Sequence, residues 1–378
     1  MKLLYVSYVD MNETSGPSIN EGGFLRVLRD FDVDLDIITG DTTSVLKIGS
    51  SLGALKTVKK IVNYIVYSFA VVSLIFNKSK MSDKDLVVLR LGPLPIAESM
   101  LVLFSNPKFV IKTLGSGNLS WASGNVFLHR IHLRLYAYLA KKSSMIDTVT
   151  DESMLQIKET LPDGQNLPIH VIDNGVDTNL FKFREKRCIR QKYELDDYQY
   201  IVGYTGNFGS KRGATEAIIT TAKFNADGVN VGCVILGYDP DQASLVELSI
   251  SLGIEGKVHF LGSIPFENVP EVTSMLDIGF SILSNESKGA SPQKVRQYVA
   301  SGVSVISTPG SDDFIEDIQC GFLVKQGDLD AMYSYAKFLL STEYWPDYEL
   351  IQLHIKNHLS LKVGINTRLK IWSKICDN

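Results

Sequence analysis

The sequence contains few cysteines and none of the spacings that bind a metal ion. Among 378 residues there are only four cysteines, all far apart: Cys188, Cys233, Cys320 and Cys376. Structural zinc sites and disulfide frameworks need closely grouped or regularly spaced cysteines. We therefore expect free thiols and a reducing, cytoplasmic compartment, with neither a metal nor a bound cofactor.

The chain also lacks an excess of positive charge. Its 38 Lys and Arg residues face 42 Asp and Glu residues, which gives a net charge of −4. Proteins that bind nucleic acid by its phosphates are strongly basic, so nucleic acid is not an expected partner. The residues after Met1 include a short apolar run, Leu3 to Val6, that is too short for the apolar core of a signal peptide. We expect a first buried strand there and no signal peptide.

Acidic residues are missing from the whole stretch 42–82. Within it, Ile61 to Phe76 is almost entirely apolar, but its sixteen residues fall short of the roughly 20 that span a bilayer. One interpretation is a buried helix. The other is a helix on an anionic membrane surface, with residues 47–80 as the contact and the lysines at its ends facing lipid headgroups. Those lysines are Lys47, Lys56, Lys59, Lys60, Lys78 and Lys80.

What the sequence does contain is a repeated alternation of apolar runs and helical segments. The length of the chain predicts two or three domains, and its 45% hydrophobic residues are typical of globular proteins. The first apolar run leads into a turn at Gly16 and then a helix, and Val33 to Thr39 follows as a second strand. This order indicates a βαβ unit whose glycine turn opens a helix. The turn is either a phosphate or sugar contact or a purely geometric feature.

The most informative stretch runs from Ser284 to Pro309. An apolar strand, Ile278 to Leu283, leads into a polar loop, and Ser291 and Pro292 then favour the start of a helix. Gly302 ends this helix, and a second strand follows it. A loop that leads from a strand into a helix N-terminus is suited to binding an anion.

This stretch resembles the donor-binding loop of GT-B glycosyltransferases of the family-4-like branch (glycosyl transferases group 1). Members of that branch often read SPxKLxEYMAxGxPVI here, and this chain reads SPQKVRQYVASGVSVI from Ser291. Residues 169–181, IHVIDNGVDTNLF, are similar to the family's vIpNGvDtxxF segment. Residues 205–213, TGNFGSKRG, stand where relatives read G-R-x-x-x-x-K-G. The resemblance covers nearly the whole chain and is strongest in its second half.

The resemblance implies particular residues for the donor site. Arg212, with Lys211 beside it, takes the place of one diphosphate-binding cation, and Asn207 replaces the other. Glu286 and Asn118 are the catalytic candidates. The other donor-binding candidates are turn glycines, strand-end residues and residues at the start of the donor-loop helix: Gly16, Gly206, Leu261, Ser263, Ala290, Ser291, Gln293, Lys294 and Gln297.

Two departures from the family bear on activity. The family usually has two glutamates with seven residues between them, and here those positions hold Gly289 and Gln297. Glu286 lies near the first of them but at a different spacing. The strand that ends near Thr113 is followed by small and amide residues, where many relatives have a histidine or an acid. These losses support one alternative, a catalytically weak GT-B protein that binds sugars or acts as a scaffold.

The resemblance implies an α/β protein of the GT-B fold, with two Rossmann-like domains facing a central cleft. We expect an acceptor domain over 1–180, a donor domain over 181–358, and a C-terminal helix over 359–378 that packs back on the first domain. The implied activity is a retaining, metal-independent, hexosyltransferase-like transfer from a nucleotide-sugar to a saccharide or lipid-linked saccharide. Cell-surface polysaccharide or glycolipid synthesis, at the inner face of the membrane, is the expected context. A nucleotide-sugar epimerase of the same fold is a further alternative.

Overall fold

The computed structural model describes residues 1–11, 16–40, 53–113, 119, 123–206, 213–237, 242–283, 293–310, 314–341, 344 and 346–377. The chain packs into two units. The first comprises Met1–Asn174 together with Gly364–Asn378, and the second comprises Gly175–Val363. Each unit has its own parallel sheet.

The first unit is built on a six-stranded parallel sheet in the order β2-β1-β3-β4-β5-β6. Buried parallel strands are expected as continuous apolar runs, and β1 and β3 show this pattern, with almost every residue buried. The strands are β1 (Lys2–Ser7), β2 (Asp34–Thr39), β3 (Leu86–Arg90), β4 (Phe109–Lys112), β5 (Met145–Thr148) and β6 (Ile169–Val171).

Helices connect these strands as parallel crossovers. They are α1 (Gly16–Leu28), α2 (Gly53–Phe76), α3 (Lys78–Ser82), α4 (Ile96–Ser105), α5 (Val126–Lys142) and α6 (Asp151–Thr160). Helix α2 confirms the buried-helix interpretation of the acid-free stretch for one face only. One face, which includes Tyr67, Val71 and Leu74, is buried in the core, while Ile65 and Phe69 on the other face are exposed.

The second unit has a six-stranded parallel sheet in the order β12-β11-β10-β7-β8-β9. Ile201 and Val202, neighbours on one strand, belong to separate apolar clusters, so the sheet is covered on both faces. The strands are β7 (Tyr200–Thr205), β8 (Val231–Leu236), β9 (Val258–Gly262), β10 (Ile278–Ser281), β11 (Ser304–Ser307) and β12 (Gly321–Leu323).

The helices of the second unit are α7 (Lys186–Lys192), α8 (Ala214–Ala226), α9 (Gln242–Ser251), α10 (Val269–Ser274), α11 (Gln293–Ala300), α12 (Phe314–Asp317), α13 (Leu329–Leu339) and α14 (Tyr348–His354). The sequence predicts one helix from Phe266 to Met275. The structure instead has a 3₁₀ turn, Phe266–Asn268, before α10. Pro270 explains the break, because proline fits the first turn of a new α-helix but not a helix interior.

Helix α7 is fixed to the sheet by a half-buried acid. Asp277, which precedes β10, accepts hydrogen bonds from Lys186 at 2.9 Å and from Arg190 at 2.7 Å. It also accepts the backbone N–H of Ile201 at 2.8 Å. Burial alone raises the pKa of Asp277, but the two cations and the backbone donor outweigh burial and lower it.

The last helix, α15 (Leu361–Asp377), completes the first unit from Gly364 onward. Arg368 on this helix is fully buried and pairs with Asp147 through two contacts of 2.5 and 3.1 Å. Its guanidinium also donates to the backbone oxygens of Ile172 at 2.8 Å and Asp173 at 3.1 Å. One side chain therefore joins α15 to the ends of β5 and β6.

Candidate functional site

The second sheet has a topological switch point between β7 and β10. The chain adds β8 and β9 on one side of β7 and then returns to place β10 on the other side. Gly203 and Gly279 are paired across these two strands, so Thr205 and Ser281 end at the same edge. In open α/β sheets, ligands bind at the carboxyl ends of the strands at such a point. We call this edge the donor edge.

The start of α8 lies close to the donor edge. Gly213 is the N-cap residue, with a φ of +116° that disfavours other residues, and it provides no side-chain cap. A Cβ at this position would lie 3.0 Å from the backbone of Phe280 on β10. Close packing thus brings the N-terminal amides and positive dipole end of α8 next to the end of β10, where an anion would be stabilised.

Lys294 lies in the first turn of α11, and its side chain reaches the end of β7. Its ammonium donates a hydrogen bond to the Tyr204 hydroxyl and lies 3.8 Å from the centroid of the Tyr204 ring. A Cβ on Gly206 would lie 3.7 Å from the same ammonium. The structure thus brings together two of the predicted donor-binding residues, Gly206 and Lys294, although 88 positions of sequence separate them.

The other described candidates of the second unit lie at or near this edge. Gln293 begins α11, and its side-chain Nε2 is buried and has no hydrogen-bond partner among the described residues. Gln297 is one helical turn after Lys294 and half-buried. Leu261 and Ser263 lie at the carboxyl end of β9, which is joined to the end of β8 by a 2.9 Å hydrogen bond between the Gly237 N–H and the Gly262 oxygen.

The remaining candidates are placed as follows. Gly16, predicted to lie in a turn before the helix, is instead the first residue of α1 in the first unit. The other seven candidates lie outside the described residues and stay predictions: Glu286, Asn118, Asn207, Lys211, Arg212, Ala290 and Ser291.

A buried ionic cluster at the carboxyl edge of the first sheet was not predicted from the sequence. Glu21 on α1 is fully buried and accepts hydrogen bonds from the Tyr5 hydroxyl, from Arg90 and, at 2.9 Å, from Lys112. Burial raises the pKa of Tyr5, which keeps its hydroxyl protonated as a donor. We call these four residues the Glu21 cluster. The sequence does contain one indication of this cluster, because Arg90 and Lys112 each end an otherwise apolar strand.

Comparisons with known proteins agree with this geometry. The model of a family described as glycosyl transferases group 1 matches residues 185–351, within the second unit. A comparison with curated protein sequences gives no significant match.

Solved structures are similar over almost the full chain. The HepE protein of Anabaena, solved with UDP-glucose, has a TM-score of 0.71 and 15% identity over 99% of this chain and all (100%) of that one. Sucrose-phosphate synthase of Thermosynechococcus elongatus has a TM-score of 0.73 and 13% identity, covering 99% and 98% of the two chains. WaaG, a glycosyltransferase involved in lipopolysaccharide biosynthesis, has a TM-score of 0.63 and 14% identity, covering 97% and 98%.

At these identities the likeness shows the fold, which is the GT-B fold of glycosyltransferases. The match over residues 185–351 then shows that the second unit carries the domain described as glycosyl transferases group 1. The fold class and the family predicted from the sequence are both confirmed.

Proposed function

We propose that this glycosyltransferase takes its sugar from a nucleoside diphosphate sugar and transfers it to an acceptor hydroxyl, with retention of configuration and without a metal ion. One observation carries the proposal. The ammonium of Lys294 and the start of α8, whose N-cap residue is a glycine, both lie at the switch point of the second sheet. An ammonium and a helix N-terminus are suited to a diphosphate, which is the leaving group of such a donor.

The chemistry follows from charge. When the bond between sugar and diphosphate breaks, negative charge builds up on the departing phosphate oxygens. Fixed donors that point at this charge lower the barrier, because they need no reorganisation during the reaction. Lys294 and the amides of α8 would supply these donors, with Arg212 as a further cation predicted from the sequence. Together they would provide the positive charge that a metal ion supplies in other enzymes.

A substitution tests the diphosphate assignment. Arg212→Ala should weaken binding of UDP or GDP by about 1.5–3 kcal/mol, roughly 10- to 150-fold, because a charged hydrogen-bonding contact is lost. Isothermal titration calorimetry measures the change. Arg187→Ala, which removes an exposed arginine from α7, is the matched control and should bind as the parent does. Affinities within twofold of the parent for both nucleotides would refute the role of Arg212.

A turnover assay tests the reaction itself. UDP-glucose is the first donor to try, because HepE was solved with it, followed by other nucleotide-sugars. Transfer to an added acceptor supports the proposal, and the anomeric configuration of the product tests retention. Release of a changed nucleotide-sugar would indicate an epimerase. Binding without hydrolysis or transfer would indicate the catalytically weak protein that the missing glutamates suggest. Unchanged turnover with a chelator present would support metal independence.

For the acceptor, we propose a saccharide or lipid-linked saccharide of cell-surface polysaccharide or glycolipid synthesis, used at the cytoplasmic side of a membrane. WaaG, of the same fold, is involved in lipopolysaccharide biosynthesis. In the described part of the chain, no helix is both long and apolar enough to cross a membrane. We propose that contact with a membrane is made by the surface of the first unit.

The surface that fits this role is formed by α2 and α4, which pack against each other. Eight exposed side chains on these helices are large and apolar: Ile61, Ile65, Phe69 and Phe76 on α2, and Ile96, Met100, Leu103 and Phe104 on α4. The neighbouring α5 carries four charged residues, Arg130, Arg134, Lys141 and Lys142, all of them cationic. Apolar side chains beside cations match the surface of an anionic bilayer.

Vesicle sedimentation tests this surface. The protein should sediment with anionic vesicles at low salt and be released at high salt, since salt screens the attraction. Phe69→Glu with Phe104→Glu should abolish sedimentation, because these side chains are 73% and 64% exposed. Ile250→Glu, at an exposed apolar position of the second unit, is the control. Sedimentation that does not depend on the charge of the vesicles would refute the proposal.

A further inference from the structure

Tyr204 lies beneath the donor edge, and neither the family pattern nor the sequence analysis assigns it a role. It is the fifth residue of β7 and is fully buried. Its ring belongs to the apolar cluster on one face of the sheet, together with Val202 and Phe280. Its hydroxyl nevertheless extends to the end of the strand and accepts a hydrogen bond from Lys294. A tyrosine used only for packing would not need this contact.

The side chain of Lys294 is held in two ways by this tyrosine. Its ammonium is bound to the hydroxyl and also lies above the ring, 3.8 Å from the centroid. Hydrogen bonding and cation–π attraction act on the same nitrogen, and both are stronger where water is excluded. Lysine otherwise has a flexible four-carbon stem, so two simultaneous contacts remove much of its freedom before a ligand binds.

The ammonium of Lys294 is held at the end of β7. It lies beside Gly206, where the backbone has a φ of +120° and the residue itself has no side chain. A Cβ at residue 206 would sit 3.7 Å from the ammonium and 4.0 Å from the Tyr204 hydroxyl. An ammonium has three N–H donors, so binding to Tyr204 is compatible with binding to phosphate oxygens.

We propose that Tyr204 is a positioning residue that fixes the ammonium of Lys294 for the diphosphate of the donor. This inference rests on the proposed function, because it takes the donor edge as the nucleotide site. Tyr204 acts on the ligand only through Lys294. It saves the conformational entropy that a free lysine would lose when the donor binds, and it directs the positive charge toward the developing charge of the leaving group.

A double-mutant cycle distinguishes this role from a structural one. The variants are Tyr204→Phe, Lys294→Met and the double variant, and the probes are UDP and GDP in titration calorimetry. Tyr204→Phe keeps the ring and removes only the hydroxyl, so we expect the fold to be kept. It should weaken nucleotide binding about 3- to 10-fold in the parent, which is less than the loss of a direct charged contact, because Tyr204 acts on the nucleotide only through Lys294. In the Lys294→Met background the same change should have no effect.

Two further measurements accompany the cycle. Once a donor and an acceptor have been identified, Tyr204→Phe should raise the donor KM and leave the acceptor KM unchanged. Tyr198→Phe is the matched control, since Tyr198 is a tyrosine of the same unit just before β7, and its hydroxyl donates to the Gly256 oxygen at 3.1 Å. Its nucleotide affinity should equal that of the parent. Thermal melting of all variants reports whether the fold is retained.

The outcomes separate the inference from the proposed function. A parent that binds neither nucleotide overturns the proposed function and the inference with it. A parent that binds, with Tyr204→Phe unchanged or with an equal loss in the Lys294→Met background, overturns the inference alone. An equal loss in both backgrounds would mean that Tyr204 supports the site through packing and not through Lys294.

Discussion

Replacing Glu21 by Gln should destabilise the first unit strongly. The carboxylate of Glu21 is fully buried and is bound by Tyr5, Arg90 and Lys112. An amide of the same shape cannot balance two buried cations. Removing one partner of a buried ionic group costs about 3–5 kcal/mol, because the remaining charge is left uncompensated. For a domain of this size, that corresponds to a fall in Tm of roughly 6–20 °C.

The two cations respond differently to this loss. Burial and the neighbouring charges of Arg90 and Arg368 lower the pKa of Lys112. Lys112 can therefore release its proton when Glu21 is replaced, whereas an arginine cannot. A lysine whose pKa is lower in the folded than in the unfolded chain adds stability as pH rises toward the ordinary lysine value. Without the carboxylate of Glu21, Lys112 should lose its proton at a lower pH than in the parent, so the cost of Glu21→Gln should become smaller as pH rises toward the ordinary lysine value.

Urea unfolding measured by tryptophan fluorescence provides the assay. Trp372 on α15 is fully buried in the first unit, so a background with Trp121→Phe and Trp345→Phe makes its emission specific for that unit. Glu159→Gln, at an exposed position of α6, is the control and should change the free energy of unfolding by less than about 0.5 kcal/mol. A cost below about 1 kcal/mol for Glu21→Gln would refute the reasoning, because it would mean that the cations need no carboxylate.

Three further predictions concern the second unit. Because the pKa of Asp277 is lowered in the folded protein, Asp277 should stabilise the fold above the ordinary aspartate pKa, and this effect should be lost as pH falls below it. In Asp277→Asn the free energy of unfolding, followed by circular dichroism, should therefore depend less on pH in the acid range. Cys188 is exposed and should react quickly with a disulfide reagent, whereas Cys233, whose pKa burial raises to about 12, should react only after unfolding. Gln297→Ala should raise the donor KM about 2- to 10-fold, the value of one neutral hydrogen bond, while Gln297→Glu should be tolerated; unchanged kinetics for Gln297→Ala would mean that this helix is misaligned to the family.

Much of the second unit could be predicted because its strands are buried on both faces. Such strands are continuous apolar runs, and the predicted order of strand, loop, helix and strand after Ile278 is observed as β10, α11 and β11. The turn at Gly175 was predicted from the Asn-Gly pair, and its φ is +68°. These features depend on neighbouring residues only, so a single sequence contains enough information.

The contacts that define the donor edge and the Glu21 cluster join residues that are far apart in the sequence. Tyr204 and Lys294 are 90 positions apart, and Glu21 and Lys112 are 91 apart. They meet because β10 returns to the opposite side of β7, and because β3 and β4 are added beyond β1. Strand order is set by the packing of the whole unit and leaves no local pattern. A polar residue at the end of an apolar strand indicates that something binds it, but not which residue does.

The two contacts of Arg368 with Asp147 have a consequence for the synthesis of the chain. Asp147 is made early, yet its partner follows all of Gly175–Val363, so at about 5–20 residues per second the ribosome needs roughly 10 to 40 seconds more to produce it. During that time the carboxylate of Asp147 lacks Arg368, and the first unit cannot complete its core. The second unit, which needs no later residue, can fold first. An expressed fragment that stops at Asn174 should therefore be far less stable than the first unit in the full chain.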